Sequence, residues 1–175
     1  MVEMEVAECP VHPLENNWRD LYEINGYLDS YRRFAVVYDQ RHCATVWTSI
    51  VDTVYDQVAV ECPLTLGQIR GQQCWHPDFT RTARPYRNQG LALKLYMYLL
   101  RRGLILRSGR TQSISSQRLW GRLCEQPGVE VWNVDYQGNT AQCHRCDIRE
   151  RPDTDFWDPY QRKTVSFAIH TGAYT

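Results

Sequence analysis

The sequence predicts a single mixed α/β domain, and three observations carry that expectation. Segments rich in Val, Ile, Thr and Trp come first, then a polar loop feeding a helix, a short apolar strand, a second helix and further strands. That order places a helix between neighbouring strands of one layered domain. Of the 175 residues, 43% are hydrophobic and Trp and Tyr are plentiful, so the chain can bury a real core. No internal repeat, low-complexity tract or long linker divides it, and residues 1–175 read as one domain.

The elements follow from periodicity and punctuation. Asn17 to Leu28 fits one or two short helices facing Trp18, Leu21 and Tyr22 inward, although Gly26 weakens the pattern. Arg33 to Tyr38 is a strand by composition, Asp39 to His42 a turn, and Cys43 to Val54 the next strand. Val58 to Cys62 is a third strand. Pro63 to Gln73 reads as a loop or short helical turn ending at Gly71, and Cys74 to Thr82 as an extended segment interrupted by Pro77. Leu91, Leu93, Leu95, Tyr96, Leu99 and Leu100 recur at helical spacing, and Gly103 ends that helix. Leu104 to Ser108 is a buried strand. Ser115 or Ser116 caps a second helix through about Glu125, with Leu119, Trp120 and Leu123 on one face. Val129 to Tyr136, a return strand from Thr140 and Lys163 to His170 complete the chain.

The net charge is zero, but its distribution is not even. From Phe79 to Cys124 there is no Asp or Glu, whereas Arg81, Arg84, Arg87, Lys94, Arg101, Arg102, Arg107, Arg110, Arg118 and Arg122 all fall there. Such an arginine block favours a polyanionic ligand over a merely solvated surface. The acidic start Met1 to Glu5 has no signal-peptide pattern, and no apolar run approaches 18 residues. A soluble cytoplasmic protein with no membrane segment is the expectation. Seven scattered cysteines read as free thiols.

Within the basic block, Arg84-Pro85-Tyr86-Arg87-Asn88-Gln89-Gly90-Leu91-Ala92 leads into the first long helix. A helix start carries backbone N–H groups with no partner inside the helix, and suits a phosphate. Gly90 lets a ligand approach the backbone and Ala92 stays small. Arg84 and Arg87 neutralise charge. The ordinary alternative is a loop–helix junction with a capping glycine.

Arg87 to Ala92 fits the pattern Arg/Gln-x-x-Gly-x-Gly/Ala. On those residues, with Pro85-Tyr86 before them and Leu91 to Leu100 after, Phe79 to Leu100 resembles the acyl-CoA-binding core of the GNAT family of N-acetyltransferases. The following strand and capped helix keep the family's order. The likeness extends over about residues 74–136. A looser likeness is to compact acetyltransferase-like proteins encoded by bacteriophages. The resemblance implies a mixed, mostly antiparallel central sheet with flanking helices, acyl-CoA N-acyltransferase-like. It implies acetyl-CoA as co-substrate, with pyrophosphate on the amides of Gln89, Gly90, Leu91 and Ala92. Asn88 belongs to the same loop, and the pantetheine would run along the backbone of Arg81, Thr82 and Ala83.

The implied reaction moves an acetyl group to an amine on a small molecule or a protein. It needs a base for the amine and a proton for the departing thiolate. The resemblance places a carboxylate or other base near His76 and Asp78, with Asp56 and Glu61 as alternatives. The family often takes its proton from a tyrosine on the second helix, where Trp120 stands here. Ser113 or Ser116 then substitutes through water, or the thiolate leaves to solvent. Trp120 keeps open a catalytically degenerate binding module acting on nucleic acid or a protein partner. Nucleic acid is also suggested by Trp75, Tyr86, Tyr96, Tyr98 and Trp120 beside the Arg81–Arg122 block. Cys9, His12, Cys143 and Cys146 carry the spacing of a zinc site, the alternative being free thiols. Cys43, Cys62, Cys74 and Cys124 read as core fillers.

Overall fold

The structure, a computed structural model, describes residues 23–39, 45–69, 71–109, 113–135, 141–143 and 164–172. The strands β1 (Glu23–Tyr27), β2 (Phe34–Asp39), β3 (Thr45–Asp52) and β4 (Gln57–Ile69) form an antiparallel meander. β5 (Gln72–Pro77) and β6 (Arg81–Thr82) both pair with β4. Helix α1 (Leu91–Arg101), strand β7 (Leu106–Arg107) and helix α2 (Ile114–Cys124) follow, then β8 (Val129–Asp135), β9 (Ala141–Cys143) and β10 (Thr164–His170). All these strands belong to one sheet in the order β1-β2-β3-β4-β5-β7-β10-β8-β9, with β6 beside β4. Among these pairings only β5 with β7 is parallel, at Trp75 and Leu106.

β5 and β6 are one strand interrupted by a bulge. Leu64 pairs with Pro77 and Glu61 with Arg81, so residues 78–80 face residues 62–63. Bulges re-aim side chains and bend a strand. The bulge also accommodates Pro63, which has no N–H for the ladder. Its carbonyl still accepts from the Asp78 N–H at 3.0 Å.

Both described helices pack on one face of the sheet. Leu91, Leu95 and Leu99 lie one above another on α1, with Tyr96 and Leu100 beside them, and meet Val36, Ile50, Val60 and Leu64 from the strands. Trp120 and Leu123 of α2 join the same cluster. Each buried leucine there contributes about 2 kcal/mol of hydrophobic stabilisation. The other face holds Ala35, Val37, Trp47 and Val51 in one cluster, and Cys74, Ile105 and Phe167 in a second.

The expected acyl-CoA N-acyltransferase-like class, a mixed, mostly antiparallel central sheet with flanking helices, is therefore corrected. Strands dominate: the molecule is a curled, mixed half-barrel sheet with two α-helices among the described residues. Two misread segments account for the difference. Residues 23–27 form β1 rather than the end of a helix. The helical pattern there ignores what Gly26 does. A Cβ on Gly26 would come 2.3 Å from Tyr98 Oη, so the glycine lets β1 lie against α1. Tyr98 in turn donates to Asn25 Oδ1 at 2.7 Å. Residues 63–69, expected as loop or helical turn, continue β4, because the bulge absorbs Pro63. The second helix also begins earlier than expected, its cap being Ser113 rather than Ser115 or Ser116.

Candidate functional site

β5 and β7 share a single residue pair, supported by the Trp75 N–H donating to the Ile105 carbonyl at 2.8 Å. A cavity of about 590 Å³ opens alongside. Its walls are the bulged segment at residues 76–80 with Thr82, the loop and first turn at Asn88 and Gly90–Leu93, the end of β7 with residues 108 and 109, and α2 with its cap from Ser113 to Arg122. β6 pairs with β4 alone among the described strands, and Thr82 lines the cavity.

The start of α1 lines the cavity. Gly90 is the N-cap, at φ +70° in the left-handed region, and Asn88 precedes it at φ +62°. A Cβ on Gly90 would meet nothing within 4 Å. The glycine thus serves the turn conformation, and the space before it is open. The first intrahelical bond runs from the Lys94 N–H to the Gly90 carbonyl at 3.0 Å. The amides of Leu91, Ala92 and Leu93 precede it, no side chain caps them, and the first turn has no acid. All three residues line the cavity, as do Arg118 and Arg122. Arg107 lines it too, and its Nε is buried with no hydrogen-bond partner among the described residues. Donors and cations with unused capacity fit a phosphate.

The loop before Gly90 is braced from within. Arg84–Tyr86 form a 3-10 turn with Tyr86 buried and edge-on to Phe34. Gln89 Nε2 donates to the Pro85 carbonyl at 3.1 Å, and Arg87 Nε to the Thr82 carbonyl at 3.3 Å. The Ala83 N–H donates to the Ala59 carbonyl at 2.9 Å.

His76 Nδ1 lies 3.1 Å from the Arg107 carbonyl. A carbonyl only accepts, so Nδ1 carries the proton, and Nε2 of the neutral ring is left as the basic site. Nε2 stands 4.0 Å from Asp78 Oδ1, while Asp78 Oδ2 accepts from the Thr65 hydroxyl at 2.8 Å. β7 thereby fixes the tautomer of a histidine on β5.

A partly buried polar chain runs through Thr80. Tyr96 Oη and Thr80 Oγ1 are 2.8 Å apart, and Thr80 Oγ1 donates to Cys62 Sγ at 3.5 Å. Burial pushes the Cys62 thiol up to about 11. Burial also raises the Tyr96 hydroxyl well above its ordinary value. Both groups keep their protons at neutral pH. Trp120 packs edge-on against Tyr96, ring centroids 6.4 Å apart, and is buried.

Of the residues singled out from the sequence, His76, Asp78, Thr82, Asn88, Gly90, Leu91, Ala92 and Ser113 meet at the cavity. Arg81, Ala83, Arg84, Arg87 and Gln89 support the loop or its flanks and do not line it. Arg81 is held instead by Glu61, with Nε 2.6 Å from the carboxylate. Glu61 is thus committed to an ion pair, and Asp56 sits in the turn after β3. Ser113 Oγ accepts the Ser116 N–H at 3.2 Å. Tyr86, Tyr96 and Trp120 are core residues, and Cys62 and Cys74 are buried free thiols. Cys9, His12, Cys43 and Cys146 lie outside the described residues, as does the side chain of Cys143. Among the described residues no group of three or more His, Cys, Asp or Glu is placed to hold a metal. No described helix is long and apolar enough to cross a membrane.

Sequence reasoning missed the Arg107 carbonyl, Thr65 and Phe79 as parts of the site. Backbone carbonyls leave no mark on a sequence, and Thr65 lay in the stretch misread as a loop. Phe79 carried a signal, an aromatic directly after Asp78 at the edge of the basic block. No protein-family model matches the chain, and no curated protein matches it.

Proposed function

We propose that the chain binds acetyl-CoA in this cavity and transfers the acetyl group to an amine. One observation carries the reading. A single cavity is lined by uncapped helix-start residues, by arginines and by a histidine of fixed tautomer. The resemblance of residues 79–100 to the acyl-CoA-binding core of the GNAT family points the same way. Leu91, Ala92 and Leu93 would hold the pyrophosphate through their N–H groups, with Arg118 and Arg122 neutralising its charge. The edge of β6 that no described strand pairs would take the amide groups of the pantetheine.

His76 Nε2 removes a proton from the acceptor ammonium, and Asp78, at 4.0 Å, stabilises the imidazolium formed. The freed amine attacks the acyl carbon, forming the C–N bond as the C–S bond breaks, and the nitrogen gives up its second proton to solvent. The sulfur leaves as a thiolate and is protonated by water. Ser113 keeps its hydroxyl proton for that water, since its oxygen is what caps α2.

Calorimetric titration with acetyl-CoA, followed by thiol release with a panel of amines, tests the proposal. Binding and amine-dependent thiol release are expected. His76→Gln lowers kcat by about 100-fold or more while leaving the acetyl-CoA affinity unchanged. Absence of binding by any CoA ester overturns the proposal.

A second reading, a binding module without catalysis, is favoured by one observation. Trp120 is buried against Tyr96, so the second helix presents no acid there. Acetyl-CoA binding with no thiol release by any amine would select it.

A further inference from the structure

The charges around the cavity are arranged in opposition. Arg107, Arg118 and Arg122 line it, whereas Asp78 is the one carboxylate among its described lining residues. Asp78 is 39% exposed, and its position is fixed. Its N–H donates to the Pro63 carbonyl, and its Oδ2 accepts from Thr65. A carboxylate so oriented, next to the basic nitrogen of His76, is placed to receive a cation.

The next residue, Phe79, lines the same cavity and is 43% exposed. Its ring is not loose. Trp47 meets it edge-on with centroids 5.9 Å apart, and the Arg81 guanidinium lies 5.8 Å from its centroid. Arg81 is itself held by Glu61, so the ring is propped by a neutralised cation. A buttressed phenyl group left open to a cavity offers apolar area to a ligand.

We infer that the acceptor is a primary amine carried on a hydrophobic body, with no carboxylate beside the amine. The inference rests on the acetyl-transfer reading and names its second substrate. The ammonium sits against Asp78 and within reach of His76, and the body packs on Phe79. An α-amino acid is disfavoured, because its carboxylate would be brought against Asp78.

Titration of the full-length chain with phenethylamine, phenylalanine and 3-phenylpropionate, with and without saturating CoA, tests this. Phenethylamine is expected to bind in at least one state, and the two carboxylates at least about tenfold more weakly. Asp78→Asn is expected to lower phenethylamine affinity about tenfold and to strengthen 3-phenylpropionate binding. Phe79→Ala is expected to weaken phenethylamine about fivefold, with Phe79→Leu restoring most of the loss. Circular dichroism and Tm of each variant separate a lost contact from a lost fold. Failure of phenethylamine to bind in either state, equal binding of phenylalanine, or a folded Asp78→Asn with unchanged affinity each overturns the inference. The two readings fail separately. A chain that binds CoA but ignores phenethylamine loses the acceptor proposal alone. A chain that binds phenethylamine but no CoA keeps this site and loses the transferase.

Discussion

The two helices begin at the same cavity and solve the same problem in opposite ways. Each has 11 residues and no acid in its first turn. α2 satisfies its own start, with Ser113 Oγ accepting the Ser116 N–H at 3.2 Å. α1 does not: its N-cap is Gly90, which has no side chain to offer. A third set of amides, in the turn after β3, shows what an anion does when the protein supplies one. There Asp52 Oδ1 accepts from Val54 N–H at 3.1 Å and Tyr55 N–H at 3.4 Å. Two of the three sites are closed from within and one is left for something from outside. A glycine N-cap costs only a few tenths of a kcal/mol relative to serine, so the uncapped start of α1 is cheap to keep and is where the proposed phosphate would sit.

The largest expected effect comes from closing that gap. Gly90→Asp puts a carboxylate where the phosphate is proposed to sit. Aspartate tolerates the left-handed conformation better than most residues and suits a helix start. Acetyl-CoA affinity should fall about 100-fold, equivalent to about 2.7 kcal/mol, while Tm stays level or rises. Gly90→Ala is the control for backbone strain, worth about 1–2 kcal/mol without an added charge. Calorimetry and thermal melts on the same samples read both quantities. Retained affinity in a folded Gly90→Asp would dissolve the contrast between the helices.

The α1 start was legible because its signals are local. A glycine between polar residues and a run of helical leucines marks the place, and the missing acids from Phe79 to Cys124 mark its charge. His76 and Asp78 were legible only as residue types near that loop. What makes them a pair is long-range: Thr65 on β4 and the carbonyl of Arg107 on β7, reached through strand pairing. The sheet was the harder reading for the same reason. Gly26 looks like a helix breaker until Tyr98 is laid against it, and Pro63 looks like a strand breaker until the bulge at residues 78–80 is placed opposite. Both residues take their meaning from partners distant in the chain.

The next effect concerns the amides after β3. Burial alone would raise the Asp52 carboxyl. The hydrogen bonds from Arg33, then those from the Val54 and Tyr55 amides, outweigh it and hold the carboxyl below its ordinary value. A folded-state value below the unfolded one means the carboxylate stabilises the fold at pH above the unfolded value, about 4. That contribution is lost as pH falls through the depressed value. Asp52→Asn should cost about 1–3 kcal/mol at pH 7 and flatten the acid limb of a urea-denaturation profile measured from pH 6 to pH 2. An unchanged acid limb would show that these amides do not depend on the anion, weakening the parallel drawn with α1.

The smallest effect is at α2, and it sharpens the contrast most directly. Ser113→Ala removes the cap and should cost about 1 kcal/mol, a fall in Tm of about 2–4 °C for a chain of this size. Ser113→Gly should cost only a few tenths of that, since glycine is itself a tolerated N-cap. Neither change should move the acetyl-CoA affinity, because the amide that Ser113 satisfies is not one the ligand uses. An affinity that falls tenfold in a folded Ser113→Ala would mean that both helix starts hold the ligand. Serine would then be a ligand contact as well as a cap, and the division of labour between α1 and α2 would no longer stand.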